Sequence, residues 1–489
     1  MEPTTRRDFV KLSSASAVTA PFSRVLGAND DIRMAIVGLG STVKIGGKGK
    51  QDLRDFRKVP GVRVVALCDV DRDILDAEVQ KFKDRNEPVE PYADVRKLLE
   101  NKNIDAVVVT TPNHWHALVT VWTCQAGKDV YVQKPASHNI FEGRKMVEAA
   151  ARYNRIVAVP HGPRGATGIG EAIEYVRQGN LGRMLCVRGL NYRPRTSIGK
   201  VGGPQPIPKS IDYDLWSGPA PVVPLKREYL HYDWHWDWLY GNGDLGNMGI
   251  HYMDACRWAA GQRTLPERVI AMGGRFGYDD DGQTPNTQVA LLDYKPVPII
   301  FEVRGLPRNR AFRDQNWETN GRLSMDDYYT LGIGVVVHCE KGFIANNQAF
   351  DNRGRSVKLF KPSNTDLPEN FIRAVRSRKS SDLYSDVLDG HLSAALCHLI
   401  NISHRVGRQV SSGQIRETVR GEKDFAETVE RFLDHMHANR IDLEKQPATL
   451  GPWLTLDPAA ERFTGAFSGP ANALLTRDYR PPFVVPEKV

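Results

Sequence analysis

The chain is short of the features that mark specialised protein classes. Its six cysteines, Cys68, Cys124, Cys186, Cys256, Cys339 and Cys397, stand far apart and form no C-x-x-C pair, so a disulfide framework is not expected and buried free thiols are. No low-complexity run and no internal repeat interrupts the sequence, and nothing in it calls for membrane spanning or disorder. The net charge of +8 is modest for 489 residues, and its basic residues are scattered, which describes a basic surface rather than a nucleic-acid site. What is present, 41% apolar and 25% charged residues, is the composition of a globular protein too long for one core, so two domains are expected.

The first thirty residues differ from the rest. "TTRRDFVKLSSASAVTAP" joins an arginine pair (Thr5, Arg6, Arg7, Phe9, Lys11) to a short, weakly apolar Ala/Ser/Val stretch, an order that resembles a twin-arginine export signal. Ala20 and Ala28 both suit a cleavage point, and no cysteine follows either for a lipid anchor. The expectation is export of the folded chain to a periplasmic or other extracytoplasmic location, without membrane insertion of the mature protein.

From Asp31 the runs "IRMAIVGLG", "VRVVALCDV", "IDAVVVTTP", "DVYVQKP" and "RIVAVP" are β-branched and do not alternate, and helical periods fill several gaps between them. That pattern predicts an α/β fold whose N-terminal part, residues 31–160, is a Rossmann-type doubly wound parallel sheet. Residues 161–450 change to a helix followed by many hairpin-like strands, predicting an α+β domain with an open, mainly antiparallel sheet; residues 451–489 read as irregular. Within the second domain Trp234, Trp236 and Trp238 alternate as in a strand, and Trp236 is a candidate platform for a sugar ring.

"AIVGLGS" ends the first strand in Gly38-x-Gly40 followed by Ser41, a turn that lets main-chain N–H groups approach a pyrophosphate. The third glycine of the usual pattern is absent, Val43 standing there, and Gly47 or Gly49 of the insertion "TVKIGGKGK" takes its place. Asp69, at the end of the second strand, is positioned to accept from adenosine ribose hydroxyls and to repel a 2′-phosphate. NAD is therefore the expected cofactor, with NADP kept open by the neighbouring Arg72.

Three further motifs, "TTPNHWHA", "VYVQKPASHNIFEGRKMVEAA" and "GDLGNMGIHYMDACRWAAG", together resemble the Gfo/Idh/MocA oxidoreductases, the family of glucose-fructose oxidoreductase and inositol dehydrogenases. The resemblance implies that Thr111, Pro112, Asn113 and His116 lie by the nicotinamide and its ribose, and that Lys134 is the active-site lysine. Gln133 stands where the family has glutamate, which withdraws the charge that would hold Lys134 protonated. The second-domain helix supplies Asn247, His251 and Asp254 on one face, with neutral Asn247 replacing the family's aspartate, so His251 is the expected base. Asn247 and Asp254 would orient substrate hydroxyls, and Arg164, Tyr192, Arg193, Arg195 and Lys200 would form the outer wall. The activity so implied is hydride transfer from a secondary hydroxyl of a sugar or cyclitol to a tightly held, self-recycled cofactor. An NAD-dependent glycosidase or lyase acting through transient C3 oxidation is the alternative, and Gln133 and Asn247 motivate a third, a sugar-binding or sensory protein without turnover. The resemblance also implies a homodimer or homotetramer; no metal site is expected from His231, His235, His251 and Asp254. His391 is read as a packing residue at a helix start, near enough to reach toward the substrate cleft.

Overall fold

The computed structural model describes residues 31–489 except 42–45, 166, 315–316, 320 and 363–365; the twin-arginine segment lies outside the described residues. Strands β1 (Ile32–Val37), β2 (Val62–Cys68), β3 (Glu90–Tyr92), β4 (Ala106–Val109), β5 (Asp129–Val132) and β6 (Val157–Ala158) form a sheet in the order β3-β2-β1-β4-β5-β6, parallel throughout. Every residue of β4 and β5 is buried, because helices cover both faces, and this is why these strands read as unbroken apolar runs. The order reverses between β1 and β4, which opens a crevice at their C-terminal ends. Side chains start the flanking helices: Asp71 accepts from the Asp73 N–H ahead of Arg72–Lys83, and Asn139 from the Glu142 N–H ahead of Ile140–Arg152.

The second sheet contains β7 (Met184–Tyr192), β8 (Arg268–Gly274), β9 (Thr287–Leu292), β10 (Ile299–Arg304), β11 (Ile333–Cys339), β12 (Gly342–Ala345), β13 (Gln348–Asp351), β14 (Ser356–Leu359), β15 (Arg408–Val410) and β16 (Ala448–Leu450), ordered β14-β13-β12-β11-β7-β10-β9-β8-β16-β15. Only the β7/β10 pair is parallel among the described strands, so the sheet is mainly antiparallel as expected. Gly189 on β7 permits close packing of the helix Ile250–Ala259, since a Cβ there would lie 2.8 Å from Cys256 Sγ and 2.3 Å from Phe301. The opposite face of β8–β10 is covered by the helix Lys423–Ala438, whose Val429, Phe432 and Met436 join Ile270, Met272 and Ile300 in one apolar cluster.

Two local expectations are corrected. Residues 451–489 are irregular only in part: β17 (Leu454–Asp457) pairs with β8, β18 (Arg462–Thr464) pairs with β17, and a helix spans Ser468–Ala473, with turns and extended chain after it. The tryptophan alternation is not a strand, because Asp233–Trp236 forms a 3₁₀ turn in which Trp234 stacks on His235 with ring centroids 3.7 Å apart. All six cysteines are buried and free. No helix among the described residues is long and apolar enough to cross a membrane, and no group of three or more His, Cys, Asp or Glu residues there is arranged to hold a metal ion.

The C-terminal half of the chain returns to the first sheet. Helix Leu367–Ser377 sets Phe371 edge-on to Tyr131 of β5 and to Phe56, with centroids 5.6 and 6.2 Å apart, in the apolar cluster beneath β1 and β2. Phe371 is fully buried, so Phe371→Ala is expected to lower the unfolding free energy by about 3–5 kcal/mol, read from chemical denaturation.

Candidate active site

The crevice at the switch of strand order is a cleft of about 530 Å³ lined from both sheets' elements. Gly38, Gly40, Asp69, Thr111, Pro112, Asn113, His116, Gln133, Lys134 and Asn247 all line it. Its floor is built for close main-chain approach. Gly38 has φ +85°, and a Cβ there would sit 2.8 Å from the Thr111 nitrogen; Gly40 has φ +96° and would meet the Gly46 carbonyl oxygen at 2.3 Å. Gly49, not Gly47, acts as the third glycine: its Cβ position lies 2.0 Å from the Gly38 oxygen, while Gly47 faces open space. Ser41 is buried outside the lining, its carbonyl accepting from Lys50 Nζ at 2.8 Å.

Asp69 accepts from the Leu39 N–H at 2.6 Å and the Asp71 N–H at 2.9 Å, while burial pushes its carboxyl up to about 6. Beside it, Asp71 meets His231 Nε2 at 2.9 Å, so a second-domain ring closes this end of the cleft. Thr111 Oγ1 is buried without a hydrogen-bond partner among the described residues. Glycine cradle, strand-end carboxylate and unpartnered hydroxyl together fit a dinucleotide: Gly38 and Gly40 beneath its phosphates, Asp69 at its adenosine ribose.

His116 is a clamp rather than a base. Nδ1 lies 2.7 Å from the Pro135 oxygen and Nε2 2.8 Å from the Thr111 oxygen, and burial pushes its pKa down to about 4. The neutral ring donates to one of these oxygens and packs against the other, between the turn after β4 and the Lys134–Pro135 turn after β5. Gln133 is also committed: Nε2 donates to Asp52 Oδ2 at 2.7 Å, and Asp52 Oδ1 pairs with Lys48 Nζ at 2.7 Å. The carboxylate missing from the strand is present instead on the helix Lys48–Phe56, where it points into the fold beside Leu53 and Phe56. A lone acid on the buried face of an amphipathic helix was the signal available for it in the sequence.

Lys134 Nζ donates to the main-chain oxygen of Asn247, in a π-helical turn spanning Leu245–Gly249. Burial, with repulsion from Lys48, pushes Lys134 down to about 8 against the pull of Asp244. His251 is half-buried and its Nδ1 accepts from the Gly162 N–H at 3.2 Å, which places the proton of the neutral ring on Nε2. Burial and the nearby Lys134 hold its pKa well below the usual histidine value, so the near-neutral pKa expected from sequence is corrected.

Four other expectations change. Asp254 is fully buried and does not reach the cleft; it takes two bonds from Arg164, at 2.7 and 3.0 Å, and one from Ser393 Oγ at 2.8 Å. Despite its burial, the cations around it hold its carboxyl well below the usual range. Arg164 is consumed by that pair and stacks 4.9 Å over Trp258. Tyr192 lies in the second domain's interior, donating to Glu302 at 2.7 Å in a group that includes Arg304 and Arg431. Trp236 is buried off the cleft, under Arg195, and it is Tyr232, Trp234 and His235 that line the wall. His391 pairs with Glu461 at 2.9 Å and stays in the interior. His161, unmarked by any sequence motif, lies behind His251 with ring centroids 6.5 Å apart and bonds Ser385 at 3.0 Å.

Residues 32–161 match the model of the oxidoreductase family NAD-binding Rossmann fold, and residues 181–283 that of the same family's C-terminal alpha/beta domain. Both models describe the Gfo/Idh/MocA oxidoreductase family. Among relatives, a levoglucosan dehydrogenase of Pseudarthrobacter phenanthrenivorans is 25% identical over 47% of this chain and 54% of its own length. A glycosyl hydrolase family 109 protein of Solibacter usitatus is 29% identical over 32% of this chain and 38% of its own. The chain thus spans about half or less of these relatives. The WlbA dehydrogenase of Bordetella pertussis, solved with NADH and UDP-GlcNAcA, has the same fold at TM-score 0.55 and 19% identity, over 77% of this chain and 97% of that one.

Gln133 suits Asp52 because a neutral amide can donate to the carboxylate. Gln133→Glu is expected to set two buried carboxylates together and cost about 1–3 kcal/mol at pH 7, recovered as pH falls and one acid protonates, or by adding Asp52→Asn. Thermal unfolding across pH 5–8 reads both recoveries.

Proposed function

We propose that the protein is an NAD-dependent oxidoreductase acting on a secondary hydroxyl of a sugar or cyclitol. The observation that carries this reading is a cleft lined by Lys134, lowered to about 8, with the His251 ring near enough to feel its charge and carrying its proton on Nε2. The bound nicotinamide supplies the hydride acceptor. Lys134, in its neutral form, takes the hydroxyl proton, and the His251 Nε2–H donates to the same oxygen as negative charge develops there. This reverses the expected roles, because His251 has its basic nitrogen tied to Gly162. Asp254 acts one shell behind: by holding Arg164, it fixes the floor under the His251 helix. The preference for NAD over NADP rests on Asp69, whose carboxylate repels a 2′-phosphate.

The substrate class is supported by the names of the relatives, a levoglucosan dehydrogenase and family 109 glycosyl hydrolases. The second name favours a second reading, in which oxidation at C3 acidifies the C2 proton, the glycosidic bond is eliminated, and the hydride is returned. Aglycone release at constant NADH absorbance would favour that glycosidase over net dehydrogenation. The arginine pair Arg6 and Arg7 supports export of the folded protein with its cofactor inside, which requires the cofactor to be reset within its own site.

Mass spectrometry of the purified, unsupplemented protein is expected to find retained NAD(H); a chain that binds no dinucleotide even when supplied would remove the proposal. With an oxidised substrate in hand, kcat/KM for oxidation is expected to rise with pH and level off above about 8, as Lys134 loses its proton. Lys134→Met should then lose about 10²–10⁴ in rate and the inflection with it.

A further inference from the structure

A second cavity, of about 410 Å³, lies where the start of helix Ile140–Arg152, the helix Val387–Arg405 and the C-terminal segment meet, and it shares no lining residue with the cofactor cleft. Its charge is lopsided. Arg405 and Arg477 both line it, Asp478 is the one acid among the lining residues, and no ion pair forms from either arginine among the described residues. Arg405 stacks 5.1 Å over the Trp238 ring, and Arg477 Nη1 lies 3.4 Å from His138 Nδ1. A guanidinium only donates, so His138 Nδ1 accepts and its Nε2 donates to the Trp238 oxygen at 3.1 Å. Arg477 is therefore hydrogen-bonded by a neutral ring while the buried Glu142 carboxylate acts on it from behind, and Arg405 brings a charge with no ion pair among the described residues.

The interior of the cavity adds a second polar feature. His398 is 4% exposed and its Nε2 has no hydrogen-bond partner among the described residues. The ring also bonds the Ser137 main chain, and burial keeps it neutral, so Nε2 carries an unpaired lone pair in the wall of the cavity. A buried lone pair without a donor is costly unless a ligand hydroxyl meets it. Leu239, Ile402 and Leu474 supply apolar wall between the two polar ends.

We propose that this cavity binds a hydroxylated oxyanion of monosaccharide size, a sugar phosphate or a sugar acid. Arg405 and Arg477 hold the anionic group, and His398 Nε2 accepts from a hydroxyl. The site is coupled by position to the cofactor cleft: Asn242 lines the cavity, donates to the His138 oxygen at 3.0 Å, and accepts from Asn113 Nδ2 at 2.9 Å, and Asn113 lines the cleft. It does not depend on the reaction proposed above.

Titration calorimetry on the full chain at constant ionic strength, with glucose 6-phosphate, glucuronate, inorganic phosphate and glucose, tests it. At least one of the two sugar anions is expected to bind about tenfold or more tightly than glucose, and which one does so identifies the phosphate or carboxylate source. Arg405→Gln, at an exposed position that folding tolerates, should weaken that binding by about tenfold, as should Arg477→Gln. His398→Phe should bring the sugar anion's affinity down toward that of inorganic phosphate. Equal binding of glucose, no binding of either sugar anion, or full affinity in a folded Arg405→Gln protein would overturn the proposal.

Discussion

The hydrogen bond from Lys134 to the Asn247 main chain is the contact on which the site depends, because it joins a lysine of the first sheet to a helix of the second domain without a carboxylate. A buried ammonium held by a neutral acceptor is easily discharged. Gln133, next to Lys134 in the chain, and Asn247, its hydrogen-bond partner, are both amides. Acids stand in the surroundings. Asp52 sits behind Gln133 and is answered by Lys48, and Asp244 is answered by Arg195, so each negative charge near Lys134 already has its own cation. The lysine is thus left with less stabilisation of its charge than its neighbourhood would first imply.

The second domain manages charge in the opposite way. Glu302 and Asp254 are both completely buried, and both are surrounded by arginines that keep them ionised: Arg304 and Arg431 around the first, Arg164 and Arg257 around the second. Such pairs are costly to desolvate and costly to break, so their value lies in fixing geometry. The Asp254 group fixes the segment carrying His161 and Gly162 against the helix carrying His251. The Glu302 group anchors helix Lys423–Ala438 across the outer sheet face, a covering that leaves the face over β8–β10 occupied by the chain itself.

Much of the fold was legible because its cause is local. Runs of buried β-branched residues, glycines at the end of β1 and the acid ending β2 follow from what a parallel sheet and a phosphate cradle need from adjacent residues. The π-helical turn before His251 was not legible, since the motif's spacing reads as ordinary helix, and neither was the 3₁₀ turn of the tryptophans, whose period of two imitates a strand. Residues 451–489 looked irregular because their strands are three and four residues long and gain their pairing from distant β8.

Sequence alone determined the α/β class and the position of the glycine turn that ends β1, because these rest on local pattern. Only the tertiary structure decided what each polar group is free to do. Asp254, Tyr192 and Arg164 carry the chemistry of substrate ligands, yet partners more than 80 residues away in the chain consume all three. The proton on His251 is likewise decided by Gly162, and the charge of Lys134 by its burial and by Lys48, surroundings that exist only once the chain has folded.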